Sequence, residues 1–402
     1  SRVSRHNIPE LPVSNTMCSK VQTMPTTLTS EALSRAGTLE SELNTLDAIP
    51  AGETIVHNWA LRPSSVNDAF LRGSFERLLK ESSDLPVEQR LVAYDACDEH
   101  EVKAPLGIFR KRLDARRNTK PKKSNNQMLV CTPFDPNGFN FSKIKNPRER
   151  IANLRLQSGS YEILSNKFPL FPKHMLLVAQ SLVPQQMMGQ HLTAITELLQ
   201  ACSMSAYFNS WCASASVNHF HCHLIDELPP VTALPLTSGP LVNGHRCLQP
   251  RGFPGFCYVF EANQLAVVDA VVLAMQEDNQ PHNMLFTPRR SLIYVFPKPI
   301  ERPERSFDLY PETVGGPELI GSFTVYNDGD YAALTPDSAE ELCRINTAPL
   351  PSRCLRRGGS DAGVDDAAVQ KFCCVSSSTM PCIPVSRSVD FVPGRFSMVQ
   401  AI

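Results

Sequence analysis

No run of about 20 apolar residues occurs anywhere in the 402-residue sequence, so no membrane-spanning helix is expected. Charge of one sign is also lacking. The 39 Lys and Arg nearly match the 40 Asp and Glu, and a net charge of -1 gives no global field to hold nucleic acid or an anionic membrane. No Cys-x-x-Cys pair occurs among the 13 cysteines, whose number is odd and spacing irregular, which argues against a structural zinc knuckle. Cys97, Cys131, Cys202, Cys212, Cys222 and Cys257 read instead as buried free thiols of a reducing compartment. Glycine-rich P-loop and dinucleotide fingerprints are missing as well. What remains is a hydrophobic share of 42% and a charged share of 20%, the balance of a globular protein with one large or two ordinary domains.

The 33 prolines imply long irregular segments. Residues 1–50 read as a mostly disordered tail with a short helix near Ser30–Leu46. The chain opens on Ser1 rather than Met, which reads as a fragment or a processed form. Residues 1–35 are rich in Ser, Thr, Pro and Val, and read as an organelle transit remnant or a plain tail. A cytoplasmic location is the expectation, with organelle targeting as the alternative. Residues 65–84 carry Phe70, Leu71, Phe75, Leu78 and Leu79 at helical spacing. A basic stretch from Arg110 to Lys123 reads as a solvated loop or, in a functional reading, a loop facing phosphate or a sugar nucleotide.

From residue 159 the pattern is strand, strand, helix, strand, strand: 159–166, 174–178, 187–203, 206–210 and 217–225. The prolines of Phe168–Pro172 make the first turn. A similar grammar follows, with strand 255–260, helix 265–277, a hairpin of 283–287 and 291–296, strand 319–326 and helix 338–346. The expectation is an α+β fold with a catalytic half over 65–235, a second half over 250–348 and a disordered tail over 350–402.

The chemistry sits in Asn218-His219-Phe220-His221-Cys222-His223-Leu224. Alternate side chains of a strand share a face, so His219, His221 and His223 are expected together, with Phe220, Cys222 and Leu224 in the core. Three of only ten histidines lie within five residues, and chance explains that poorly. Neutral imidazoles are zinc ligands, and they are also nucleophiles at phosphorus. Stacked imidazoles without chemistry are the third reading. Ser214 and Ser216 lie in a small-residue loop that leads into the histidines, where amides and hydroxyls can approach phosphate oxygens. His174 reads as a satisfied hairpin residue, His282 as structural, and Arg289-Arg290 as a solvated hairpin tip.

Asn166-x-x-Pro169, then Pro172-x-His174-x-Leu-Leu-Val178, then a helix and a small loop into His-x-His-x-His, resembles the histidine-triad superfamily, and within it the transferase and phosphorylase branch. The segment Asn166–Gln185 is similar to diadenosine-tetraphosphate phosphorylases. Phe134–Ile144, Asn279–Leu285 with Ile293–Pro297, and Glu318–Gly321 are similar to GDP-L-galactose and GDP-D-glucose phosphorylases. The likeness covers roughly residues 65–346. It implies an antiparallel sheet with packed helices in two related halves, and a ping-pong transfer in which His221 attacks the α-phosphorus of a GDP-sugar and inorganic phosphate accepts the nucleotidyl group. It further implies that His219 orients the nucleophile, that Ser214 and Ser216 donate to phosphoryl oxygens, and that Asn166 and Asn209 contact phosphate or ribose. No cofactor or catalytic metal, no nucleic acid and no membrane partner are implied, and a homodimer is compatible. One departure matters: His223 stands where the phosphorylase branch carries Gln, as in the hydrolase branch. That leaves three alternatives open: a diadenosine-tetraphosphate phosphorylase, a nucleotide hydrolase, and a nucleotide- or zinc-binding protein without turnover.

Overall fold

The computed structural model describes residues 61–96, 102–119, 129–288 and 292–355. The expected tail helix near Ser30–Leu46, the expected disorder at both ends and Arg289-Arg290 lie outside the described residues.

Helix α1, Asp68–Ser82, begins where the Oδ1 of Asn67 accepts from the Phe70 N–H, as an N-cap requires. Leu71, Phe75 and Leu78 recur at i, i+4 and i+7 and are buried together. Helix α2, Gly189–Ala201, and helix α3, Leu265–Glu277, bury Leu192, Ile195 and Leu198, and Val268, Val271 and Met275, in the same core. Helix α4, Pro336–Ile345, has Thr335 as its cap and Pro at its first position.

Ten strands form one antiparallel sheet in the order β3-β4-β5-β7-β6-β11-β12-β10-β9-β8. They are β3 (Arg150–Leu156), β4 (Gly159–Ser165), β5 (Met175–Ala179), β6 (Ser205–Asn209), β7 (His221–Ile225), β8 (Leu236–Val242), β9 (His245–Pro250), β10 (Tyr258–Glu261), β11 (His282–Phe286) and β12 (Leu292–Pro297). The sheet centre is the β6·β11 pair. From either edge inward the strands run first, second, third, fifth, fourth in chain order, and a helix joins third to fourth, α2 on one side and α3 on the other.

α1, α2 and α3 pack on one face of this sheet. The other face carries a separate core under a three-stranded sheet of β1 (Val102–Leu106), β2 (Phe109–Leu113) and β13 (Ser322–Val325), with α4 against it. A third, small cluster of Phe141, Leu164, Leu176, Val178 and Val217 covers the β4-β5 end of the same face. The histidines lie between these two covers.

The basic stretch is a correction. Arg110, Lys111 and Arg112 lie in β2, and Arg112 and Arg117 are buried rather than solvated or facing a ligand. Arg112 donates to the Leu170 carbonyl at 2.7 Å and to both Glu227 oxygens, and Arg117 donates to the Phe168 carbonyl at 2.7 Å. Their charge holds the 168–171 turn from inside. Lys120, Lys122 and Lys123 lie outside the described residues. Of the thiols, Cys202 and Cys222 are free and buried and Cys257 likewise, but Cys131 is exposed and Cys212 only half-buried.

Candidate active site

In β7 the side chains of Cys222 and Leu224 join the core beneath α2 and α3, and Phe220 just before it does the same. His221 and His223 therefore project from the opposite face, with ring centroids 5.3 Å apart. The register places Val178 of β5 beside His221, and Leu176 and Tyr207 on either side of His223. The expected pair is there.

His219 differs from expectation. The strand starts at His221, and residues 217–219 form a bend. Both ring nitrogens of His219 are spent on backbone: Nε2–H donates to the Ser181 carbonyl at 3.0 Å, and Nδ1 accepts from the Phe141 N–H at 3.3 Å. Phe134 and Phe141 pack against the ring. Burial pushes its pKa below the ordinary imidazole value, despite the carbonyl of Ser181, which favours the cation. His219 is a neutral strut, and its main contribution to the site is its own carbonyl.

That carbonyl accepts from Nδ1 of His221 at 2.8 Å. A carbonyl only accepts, so Nδ1 carries the proton and the lone pair is on Nε2. His221 is 3% exposed, with Phe141 edge-on at 5.0 Å. A buried glutamine, Gln185, bonds the backbone N–H and carbonyl of the same residue.

His223 is set by a residue that sequence reasoning undervalued. The Leu170 N–H donates to Nδ1 of His174 at 3.0 Å, which forces the His174 proton onto Nε2. His174 Nε2 lies 2.9 Å from Nδ1 of His223, so this proton is donated there and His223 carries its own on Nε2. The His223 ring stacks on Tyr207 at 4.3 Å and 3°. A turn amide thus fixes two imidazoles in sequence. Pro172-x-His174 was the sequence signal, but its partner, 49 residues away, was not visible.

The polar candidates divide. Asn209 directs its Oδ1 to the Asn283 amide at 2.8 Å and the Gly316 N–H at 3.0 Å, and so braces the interior. Asn166 directs its Oδ1 to the Phe168 N–H at 3.1 Å. Its amide nitrogen faces Nε2 of His174 at 3.2 Å, where two donors meet, a contact rather than a bond. Ser216 is exposed. Ser214 is held at φ 80 and Cys212 at φ 70, left-handed values that cost a non-glycine residue on the order of 1 kcal/mol or more. The buried Ser214 Oγ has no hydrogen-bond partner among the described residues. A Cβ on Gly315 would sit 2.6 Å from that Oγ, so only glycine lets the 315–316 loop close on it. His282 is fully buried, donates Nδ1–H to the Gln280 carbonyl, and is driven down to about 4 by burial, as a structural histidine should be.

Among the described residues no group of three or more His, Cys, Asp or Glu is arranged to hold a metal ion. The tautomers agree, since His219 has both nitrogens committed to backbone. No described helix is long and apolar enough to cross a membrane.

The structure is thus an antiparallel sheet backed by helices, with paired imidazoles at the start of an inner strand. Residues 74–225 match the family model described as GDPGP1-like, N-terminal domain. Within the chain, 121 residues are 35% identical to GDP-D-glucose phosphorylase 1 of Danio rerio, covering 28% of this chain and 34% of the relative, so the match spans about a third of that protein's length. The fold is similar to the crystal structure of yeast Ap4A phosphorylase Apa2 in complex with Ap4A, with a TM-score of 0.50 and 16% identity over 69% of this chain and 96% of that one.

Proposed function

We propose that the protein is a nucleotidyltransferase of the GDP-hexose phosphorylase type, acting through a nucleotidyl-histidine. The observation that carries this reading is the Nδ1–H bond from His221 to the His219 carbonyl, which sets the Nε2 lone pair on the face that also holds His223. In the first half-reaction Nε2 attacks the α-phosphorus, the P–O bond to the hexose 1-phosphate breaks, and that product leaves. In the second, a phosphate oxygen attacks, the P–N bond breaks, and GDP leaves. Splitting the transfer replaces one difficult step with two easier ones. Ser214 donates its hydroxyl to a phosphoryl oxygen, and the strained loop keeps that hydroxyl in place.

The bond from His174 bears on the acceptor. With Nδ1 of His223 accepting from His174 and its proton on Nε2, His223 is a fixed donor, as a glutamine amide is. A ring in that state takes no proton from water. Phosphate is already an anion and needs no base, so the geometry supports phosphorolysis over hydrolysis. We also read the two five-strand halves as a degenerate duplication of which only the first keeps its imidazoles, since β12 carries no histidine.

The test incubates the protein with GDP-glucose, GDP-galactose or diadenosine tetraphosphate, each with and without phosphate. GDP release that depends on phosphate is expected. GMP release indifferent to phosphate makes the protein a hydrolase, and activity confined to the dinucleotide makes it the other kind of phosphorylase. His221→Ala should abolish both turnover and the covalent intermediate while the fold persists. Stoichiometric zinc with no product would instead mark a binding protein.

A further inference from the structure

Strands β6 and β7 pair over Ser205 with Ile225, Ala206 with Leu224, and Tyr207 with His223. The ladder stops at Tyr207 and His223, and the same register extended by two residues brings Asn209 opposite His221. The gap is filled by the carboxamide of Gln185, which is 0% exposed. Its Oε1 accepts from the His221 N–H at 2.8 Å. Its Nε2 donates to the carbonyls of His221 and Asn209, both at 2.9 Å. One side-chain amide thus replaces a backbone rung and uses both of its hydrogens doing so. Gln185 is itself anchored, because its N–H donates to Oδ1 of Asn218 at 2.9 Å and the Phe220 N–H donates to the Val183 carbonyl at 3.1 Å.

We infer that Gln185 is the positioning residue for the nucleophile. Its amide sets the spacing of β6 from β7 at the one residue whose ring must meet phosphorus. It also frees the end of β6 to turn into the Ser210–Ser216 loop instead of continuing the ladder. The inference rests on the proposed role of His221. An apolar side chain of similar size would remove three buried hydrogen bonds, at the His221 N–H and at the His221 and Asn209 carbonyls, and the strands would close or shear to replace them. Gln185 bonds the backbone of His221 and Asn209 and the side chain of Asn218 but not Ser214, so the loss should fall on the chemical step.

Gln185→Leu should lower kcat by about 100-fold, the scale of an ångström-sized misplacement, while KM for GDP-hexose stays within about threefold. The amplitude of the nucleotidyl-enzyme burst per folded molecule should stay unchanged while its rate falls, which a partly unfolded population would not give. Gln185→Glu is the sharper variant and carries the test should the leucine fail to fold. A neutral carboxyl offers one donor and one acceptor, whereas the ionised form turns an oxygen onto two carbonyls. Its activity should therefore climb as pH falls, relative to the unsubstituted enzyme, the titratable group bonded to the wedge being His221 itself. Wild-type kcat in the leucine variant, or a wild-type pH profile in the glutamate variant, overturns the inference. Amide hydrogen exchange at His221 tests it without turnover: faster exchange in Gln185→Leu supports the wedge, and unchanged exchange refutes it. A chain inactive on every substrate sinks the phosphorylase reading instead, leaving that exchange result to decide Gln185.

Discussion

Replacing His174 with alanine tests whether His223 is a fixed donor. His174 is 1% exposed and lies between the Leu170 N–H and Nδ1 of His223. The substitution removes the bond that keeps the His223 proton on Nε2, but leaves the Tyr207 stack that holds the ring plane. A buried neutral hydrogen bond contributes about 1 kcal/mol net, or a factor of about 5 in the population of the correct tautomer. Losing transition-state contact in the other tautomer adds a comparable term, so kcat for phosphorolysis should fall by roughly 5- to 30-fold. Without the His174 donor, His223 also gains the tautomer with a lone pair on Nε2, which accepts a proton from water. GMP should then appear beside GDP. The assay separates GDP from GMP at saturating phosphate between pH 5.5 and 8, with rates normalised to folded protein. His174→Gln supplies an acceptor for the Leu170 N–H and a donor for His223, and should restore both rate and product ratio. A His174→Ala enzyme with an unchanged product ratio and a rate within twofold would refute the reasoning.

Three further outcomes concern stability. Burial raises Glu318 to about 7, although the Gly315 N–H favours its ionised form, so between about 4.5 and 7 the native state holds a proton that the unfolded chain has lost. Stability should fall as pH rises through that window, and Glu318→Gln should flatten this part of a urea-midpoint profile. His282 has the opposite sign, since burial lowers it to about 4 and the unfolded chain takes up its proton first. Its contribution is full above about 6.5 and fades as pH falls, by about 2 kcal/mol at pH 5, and His282→Gln should remove that acid-side loss in thermal melts. Arg112→Met takes the buried partner from Glu227 and the donor from the Leu170 carbonyl, and should cost about 3 kcal/mol in denaturant unfolding, with Arg110 still pairing Glu227 to limit the damage.

The pattern of periodic elements was legible. The span of α3 matches its apolar spacing residue for residue, and the β11–β12 hairpin falls within a residue of its reading. The strands that escaped are informative. β1 and β8 contain proline and are edge strands, the place where a sheet tolerates a missing donor, and β8 has a register shift between Ser238 and Leu241 that breaks its alternation. Proline and glycine there read as loop, and the second five-strand group consequently begins near residue 236, ahead of the boundary at 250. β2 was hidden by its arginines. A buried Arg112 looks solvated until the carbonyl and carboxylate that neutralise it are known.

The same distinction governs the site. Period-two spacing put His221 and His223 on one face because that geometry is local. At His219, two residues earlier, the strand has already ended, because extension there depends on pairing, yet its ring still packs on the Phe141 that meets His221. The β5 register ends with Val178 opposite His221; beyond it the Ala179 N–H still donates to the Phe220 carbonyl, but the Phe220 N–H turns to the Val183 carbonyl. Proton positions are less local still. The tautomer of His221 follows from a carbonyl two residues back, but that of His223 follows from an amide in the 168–171 turn, relayed through His174 across a strand pair. The third position of the triad therefore cannot be classed by residue type alone. A histidine with its Nδ1 lone pair occupied presents a fixed donor, as a glutamine amide does, and our proposal of phosphate as the acceptor rests on what stands behind the ring.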